Sequence, residues 1–548
     1  GIDRITKPEH MNRTWLFSGV DLRYPGFVTN LPLLSGTADV SGHADSVTAI
    51  NELNLSGTRT IFAAWKNGLD IRKYDNSSSW GTSLHTLDDQ ATDSINVRMN
   101  GTEYLIFAHY DTSGSGWTFT SIGGATSDFS TNDKDTKFLT FWDDRLWGIN
   151  HNGLLWQFPP NATPTTAAGD CVDDAQLPLP NGYVAKLFTG PDATGEEIIY
   201  ASTKVGLYAH DVENQRFIKT GLSYPEQTNS GKGATTWRGQ IYVSSGASVY
   251  QYTPGTTAVI IDIGADIAQY VPLTTTTTTP IRSDIVQLVG THLDLLAGQD
   301  SGVRDADVGQ VMAWTGKGWS MLANNVRNCS VLYPSNAYGS YRLWYGSHKG
   351  GNSKEGGVEH LPLEQDLAHP DQSITRTFVV HADDLYTPWF DAGQINIDKL
   401  ALKLDIHVTD ATSTEKVVVK YFLDYALLGS ISNAITPTSL GEITSSGVTS
   451  YTFGSTGVPF KSIMFRLAPH RGSTTTKTPK IRSISFEYRK KLTAKWGANF
   501  KLNLSENYNN NTPKAMISNL VTAAESNTLV EFTYRDPNAD SEATYQVD

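Results

Sequence analysis

Between residues 138 and 158 the chain reads FLTFWDDRLWGINHNGLLWQF, three apolar runs of four or five residues broken by Asp-Asp and by Asn-His-Asn-Gly. Runs this short do not hold a helix, and Asp, Asn and Gly at the breaks supply tight turns, so the segment predicts an antiparallel meander. The first strand ends at Trp142, Asp143-Asp144-Arg145 reverse the chain, and residues 146–149 return it. A second turn at Asn150-His151-Asn152-Gly153 leads to a third strand that Pro159-Pro160 stops. A sheet this small has two apolar faces and cannot cover them itself. It must stack on neighbours.

Variants of the unit recur on either side. Residues 60–65 and 69–74 flank Lys66-Asn67-Gly68 and lead to Trp80; residues 104–110 lead to Trp117-Thr118-Phe119. Further copies lie at 197–218, 239–261, 292–319 and 341–361, each with an apolar strand, a turn, a Gly-x-apolar strand and an Asx or Gly turn. Units roughly 35–55 residues apart have the spacing of propeller blades with uneven loops. We count seven, with six and eight as the adjacent alternatives. Trp65, Trp80, Trp117, Trp142, Trp147, Trp156, Trp237, Trp314, Trp319 and Trp344 follow the strand pattern, and most are expected in the blade core.

Beyond residue 365 the pattern changes. Residues 399–408 alternate apolar and polar, as a half-buried strand does, and apolar strands follow at 417–422, 449–453, 462–467 and 484–488. They predict a β-sandwich over 376–490. Past it, residues 500–504 alternate as a strand, and Thr512-Pro513 reads as an N-cap with proline in the first turn. Met516, Ile517, Leu520, Val521 and Ala524 then form one helical stripe. The expected fold is mainly β: a segment over 1–44 that is either an arm or the strand closing a ring, a β-propeller over 45–365, the sandwich, and a small α+β module over 493–548.

Composition narrows the function classes. With 43 basic and 56 acidic residues the formal charge is −13, which argues against a nucleic-acid-binding surface. No run of apolar residues is long enough for a membrane span, and no signal-peptide core is present at the start. Two cysteines, Cys171 and Cys329, exclude a disulfide framework and suit assembly in a reducing cytoplasm.

Catalytic signatures are weak. The pairs Asp88-Asp89, Asp143-Asp144, Asp173-Asp174 and Asp383-Asp384 are the candidates for glycosidase carboxylates, but turn chemistry accounts for all four. Residues 111–117, DTSGSGW, come near an Asp-box with the wrong spacing. Asp305-Ala306-Asp307-Val308-Gly309 lacks the third acid and the bidentate Glu of a calcium loop. The Gly-rich residues 349–354 lie between strands and read as a hairpin loop, not a phosphate cradle. The histidines show no metal-binding pair. No catalytic, cofactor-binding or metal residue is assigned, and no cofactor is expected.

The segment from Thr387-Pro388-Trp389-Phe390-Asp391-Ala392-Gly393 through Tyr451-Thr452-Phe453-Gly454, Phe460-Lys461-Ser462-Ile463, Arg471-Gly472-Ser473 and Tyr488-Arg489-Lys490 resembles a sandwich module of tailed-bacteriophage virion proteins. In those proteins it follows a propeller-like region, and residues 529–534, LVEFTY, are similar to what trails it. The resemblance implies a non-enzymatic structural component of the virion, assembled in the host cytoplasm and placed in the tail or tail tip. Its expected partners are other virion proteins, within a symmetric homo-oligomer. Loops 298–309 and 347–357 are candidate contact points. A second reading is a receptor-binding protein that recognises host surface glycan; a third is a propeller glycosidase, with two carboxylates in a central pocket.

Overall fold

The computed structural model describes residues 16–17, 20–37, 46–66, 69–77, 79–87, 89–109, 115–120, 126–130, 136–159, 171–265, 283–300, 309–326, 328–347, 357–364, 376–379, 385–424, 437–490, 511–525, 530–535 and 542–547. Among them, seven four-stranded antiparallel sheets follow in chain order, at 47–86, 91–130, 138–176, 184–223, 234–262, 284–326 and 329–362. In the first six the strands pair consecutively. The seventh has Cys329–Ser335, Arg342–Ser347 and Val358–Pro362, and takes its fourth strand, Ser35–Gly36, from the start of the chain. The 1–44 segment therefore does supply a strand to the last sheet.

The first strand of each sheet lies against the first strand of the next, and that of the seventh lies against that of the first. Each gap between neighbouring sheets holds an apolar cluster. Phe62, Leu105 and Phe107 fill the first gap, and Trp344, Val358, Ile61 and Trp65 fill the one between the seventh sheet and the first. A fully buried Phe of this kind contributes roughly 1.5–3 kcal/mol. Close approach requires glycine: a Cβ on Gly346 would sit 2.4 Å from Val331 Cγ1 and 2.9 Å from Val47 Cγ1. This is a propeller-like arrangement of sheets.

Sequence and structure differ in which strands they reveal. Second and third strands were legible; the first strands Val47–Leu55, Ala91–Met99, Val184–Pro191, Asp284–Gly290 and Cys329–Ser335 were not. Residues 292–294, expected in a strand, form a turn closed by Thr291 N–H donating to the Asp294 carbonyl at 2.8 Å, and the strand is Leu295–Asp300.

Two sheets form the sandwich. One contains Leu385–Tyr386, Ile463–His470, Lys416–Leu423 and Thr438–Ile443, with Leu16–Phe17 of the arm at its edge. The other is built on Lys399–Thr409, which pairs with Gly447–Thr452, Val458–Phe460 and Lys480–Lys490. A register shift between Ala401 and Lys403 reverses the expected alternation. Leu404, Ile406 and Val408 face the core, but before the bulge Lys399 and Ala401 are buried instead of Leu400 and Leu402. The Lys399 ammonium donates to the carbonyls of Gln394, Ile397 and Lys461 at 2.6–2.8 Å.

The arm ties the two units together. Val28 and Ile481 exchange backbone hydrogen bonds of 2.9 Å, Leu33 N donates to Thr377 O, and Val379 N donates to Leu31 O. Beside them is a buried ionic cluster. Arg23 reaches Asp21 Oδ2 at 2.7 Å, Asp294 Oδ2 at 3.1 Å and Glu364 Oε2 at 3.4 Å. Arg376 and the Tyr24 hydroxyl both donate to Glu364 Oε1. One apolar core runs from Trp237, Leu288 and Met312 of the fifth and sixth sheets into Leu404, Val419 and Leu467 of the sandwich.

At the C-terminal end the helix Pro513–Glu525 starts on Thr512, whose hydroxyl accepts from Ala515 N at 3.3 Å. Val530–Arg535 and Glu542–Val547 pair as a hairpin. The strand expected at 500–504 lies outside the described residues.

Candidate functional site: a cationic central cavity

Where the first strands converge they enclose a cavity of about 690 Å³. The lining is mixed: Thr48, Asn51, Thr92, Ser94, Gln287 and Ser330 present polar groups among Ile50, Phe138, Val184, Val286 and Leu332. Four lysines, Lys137, Lys186, Lys204 and Lys232, line it against two aspartates, Asp93 and Asp300. Positive charge gathers here in a chain whose formal charge is −13.

The lysines are held differently. Lys186 pairs with Asp93 Oδ1 at 2.9 Å, and Leu139 N donates to the other Asp93 oxygen at 3.0 Å. Lys137 precedes the strand Phe138–Trp142, and its backbone is fixed by Ile149 O and by the Thr92 hydroxyl. Its ammonium donates to Val184 O at 2.8 Å, and among the described residues no carboxylate lies within ion-pair distance. Lys204 sits in the turn after Glu197–Thr203, with its ammonium 5.6 Å from the centre of the Tyr183 ring. Lys232 donates to Asn229 Oδ1 at 2.7 Å, and Asn229 in turn donates to Asp284.

The electrostatics follow from this crowding. Burial, with the charges of Lys204 and Lys232 added, pushes the Lys137 ammonium down to about 8. Burial also lowers Lys232, and Asp300 and Asp284 offset only part of that. A cavity of this size, with hydrogen-bonding groups set among apolar ones and a partly desolvated cation cluster, is suited to an anionic small molecule.

The carboxylates singled out in the sequence lie elsewhere. Asp143 and Asp144 are exposed, with φ of 50° and 55°, and form the two-residue turn of the hairpin joining Phe138–Trp142 to Arg145–Ile149. Asp173-Asp174 is a correction: both lie in the strand Val172–Gln176, not a turn, and Asp174 Oδ1 contacts buried His210 Nε2 at 2.6 Å. Asp89 Oδ1 accepts from Gln90 N. Asp88, Asp383-Asp384, residues 111–114, 305–308 and 349–354, and most of loops 298–309 and 347–357 lie outside the described residues. Among the described residues no group of three His, Cys, Asp or Glu is placed to hold a metal. Of the ten tryptophans that follow the strand pattern, eight are buried and Trp142 is half-buried; the Trp117 side chain lies outside the described residues.

Neither a known protein family nor a curated protein matches the chain. Among solved structures, the extracellular domain of a hybrid two-component system from B. thetaiotaomicron is similar at 15% identity over 70% of this chain and 45% of that one, with a TM-score of 0.41. BBS1N, solved in complex with ARL6DN, is similar at 13% identity over 61% of this chain and 99% of that one, also with a TM-score of 0.41. Both are β-propeller-like domains. The chain spans less than half the length of the first.

Proposed function

We propose that the protein is a non-enzymatic structural component of a tailed-phage virion, in the tail or tail tip, working through protein–protein contacts in a symmetric homo-oligomer. In this reading the seven sheets are the blades of a closed propeller that serves as a rigid platform. The observation that carries it is the arm. One segment is an edge strand of the sandwich at Leu16–Phe17 and the fourth strand of the last sheet at Ser35–Gly36, so a load on either unit passes to the other through backbone hydrogen bonds. The sandwich residues that resemble virion proteins, and a C-terminal helix with Ile517 and Val521 about half exposed, add support. Mass spectrometry and density maps of purified particles test it: the protein is expected in stoichiometric amount at a symmetric site, and its absence from particles refutes the proposal.

The cationic cavity favours a second reading, a receptor-binding protein that recognises host surface glycan. Saturable binding of the purified chain to host cells is its test, and no binding at micromolar concentration counts against it.

A further inference from the structure

We infer that the central cavity is a binding site for an acidic saccharide, whose carboxylate or phosphate sits among the ammonium groups of Lys137, Lys204 and Lys232. The inference deepens the glycan reading by naming the class of sugar, and the site is testable on the purified chain wherever that chain resides.

Three observations converge on it. The volume, about 690 Å³, matches that of small-ligand sites and is larger than an isolated ion needs. The walls carry the hydroxyls of Thr48, Thr92 and Ser330 and the amide of Gln287, groups that exchange hydrogen bonds with sugar hydroxyls. The cations are not balanced locally. Asp93 is engaged by Lys186 and by Leu139 N, whereas the Lys137 ammonium donates to the Val184 carbonyl and lies over the Phe138 ring, both neutral, with no carboxylate at ion-pair distance among the described residues. An oxyanion placed between Lys137, Lys204 and Lys232 relieves their mutual repulsion and gains charge-assisted hydrogen bonds. A neutral sugar gains neither. The other charged or titratable groups facing this space are His151, Lys186, Asp93, Asp300, Cys329 and Tyr333, with Asp284 behind Asn229. Among the described residues none of the sandwich lines the site, and the arm grips the sixth sheet at Asp294, beyond the end of Asp284–Gly290 opposite to the one that begins beside the cavity.

Titration calorimetry of the full chain at low salt tests the proposal with four probes: digalacturonic acid, its neutral dimethyl ester, mannose 6-phosphate and inorganic phosphate. Saturable binding of digalacturonic acid or mannose 6-phosphate, with none of the ester, is expected, and the probe that binds more tightly identifies carboxylate or phosphate as the preferred anion. Lys137→Gln and Lys204→Gln are each expected to weaken binding roughly tenfold or more. Affinity should fall as pH rises through about 8, where Lys137 loses its proton. Lys232→Gln removes the third cation from a turn outside the strands and should weaken binding in a chain that still folds. Failure of all acidic probes to bind, equal binding of the ester, or unchanged affinity in a folded Lys232→Gln or Lys137→Gln chain overturns the proposal. Acidic-probe binding without adsorption to host cells upholds the site and removes the receptor role.

Discussion

Replacing Arg23 by Met should loosen the junction between the propeller-like sheets and the sandwich more than any surface substitution. Side-chain exposure is 1% for Arg23, 0% for Asp21, 3% for Asp294 and 1% for Glu364, so these charges have given up their water. In the native cluster Arg23 and Arg376 face three carboxylates. Burial pushes the Glu364 carboxyl up, but Arg23 and Arg376, together with the Tyr24 hydroxyl, outweigh it and hold it below the usual carboxylate range. Asp294 has Arg23 as its close cation, and burial leaves it raised. Methionine keeps most of the volume and leaves three buried carboxylates with one arginine. Removing one partner of a buried pair costs about 3–5 kcal/mol.

Amide hydrogen exchange of Val28 and Ile481, whose N–H groups bond each other's carbonyls, reads the opening of this junction directly. The expected acceleration is roughly a hundred- to several-thousand-fold. The pH dependence has a definite sign. Asp294, already raised by burial, loses its close cation without Arg23 and rises further above its unfolded value, so on acidification the folded state takes up its proton first. Stability then returns as pH falls from neutral toward about 4. Adding Asp21→Asn should restore part of the loss at neutral pH. Acceleration below about tenfold, or a loss that grows on acidification after correction for intrinsic exchange, would refute the reasoning.

Three further outcomes follow from the same coordinates. Gly148→Ala places a Cβ 2.0 Å from Trp156 Cζ2, and the overpacking should cost about 1–3 kcal/mol, read as a lower thermal midpoint; an unchanged midpoint contradicts the packing. Asp144→Gly should change stability by less than about 1 kcal/mol, because relief of the left-handed φ of 55° is set against the greater backbone freedom of glycine in the unfolded chain, and a larger loss would mean Asp144 does more than turn the hairpin. Lys137 is charged in both states below about 8, where its burial penalty is complete, and between about 8 and its ordinary 10.5 the folded state sheds the proton first, so stability rises with pH. Lys137→Met should therefore be the more stable chain at neutral pH, by up to about 3 kcal/mol less about 1 for the lost Val184 bond, in urea titrations. That advantage should vanish by about pH 10.

Much of the fold was legible in residue order. Short apolar runs, Asx-Gly turns and the recurring tryptophans were enough to find the second and third strands of every sheet, and Asp143-Asp144 was readable as a turn from its place between two apolar runs. Most first strands, Phe138–Trp142 apart, were not, because some of their side chains line the cavity instead of a core. Thr92, Asp93 and Ser94 follow one another in Ala91–Met99 and break the alternation that marks a half-buried strand. The same property hid the site. Lys137, Lys186, Lys204 and Lys232 are isolated lysines in the sequence, with no motif to join them. Asp174 and Asp294 were hidden for a related reason: each is buried against a partner far along the chain, His210 and Arg23.

Local chemistry by itself determined that this chain makes many short antiparallel strands, a sandwich after residue 376 and a helix begun by Thr512-Pro513. Those outcomes depend on contacts within a few residues, which turn and strand propensities encode. Only the tertiary structure decided that residues 16–36 serve two units at once, that the seventh sheet packs on the first, and that four lysines spread over residues 137–232 share one cavity. Such contacts join residues tens to hundreds of positions apart, and no local pattern specifies them. They exist because each small sheet must bury both of its faces, and the chain can do that only by bringing its own beginning back to its last sheet.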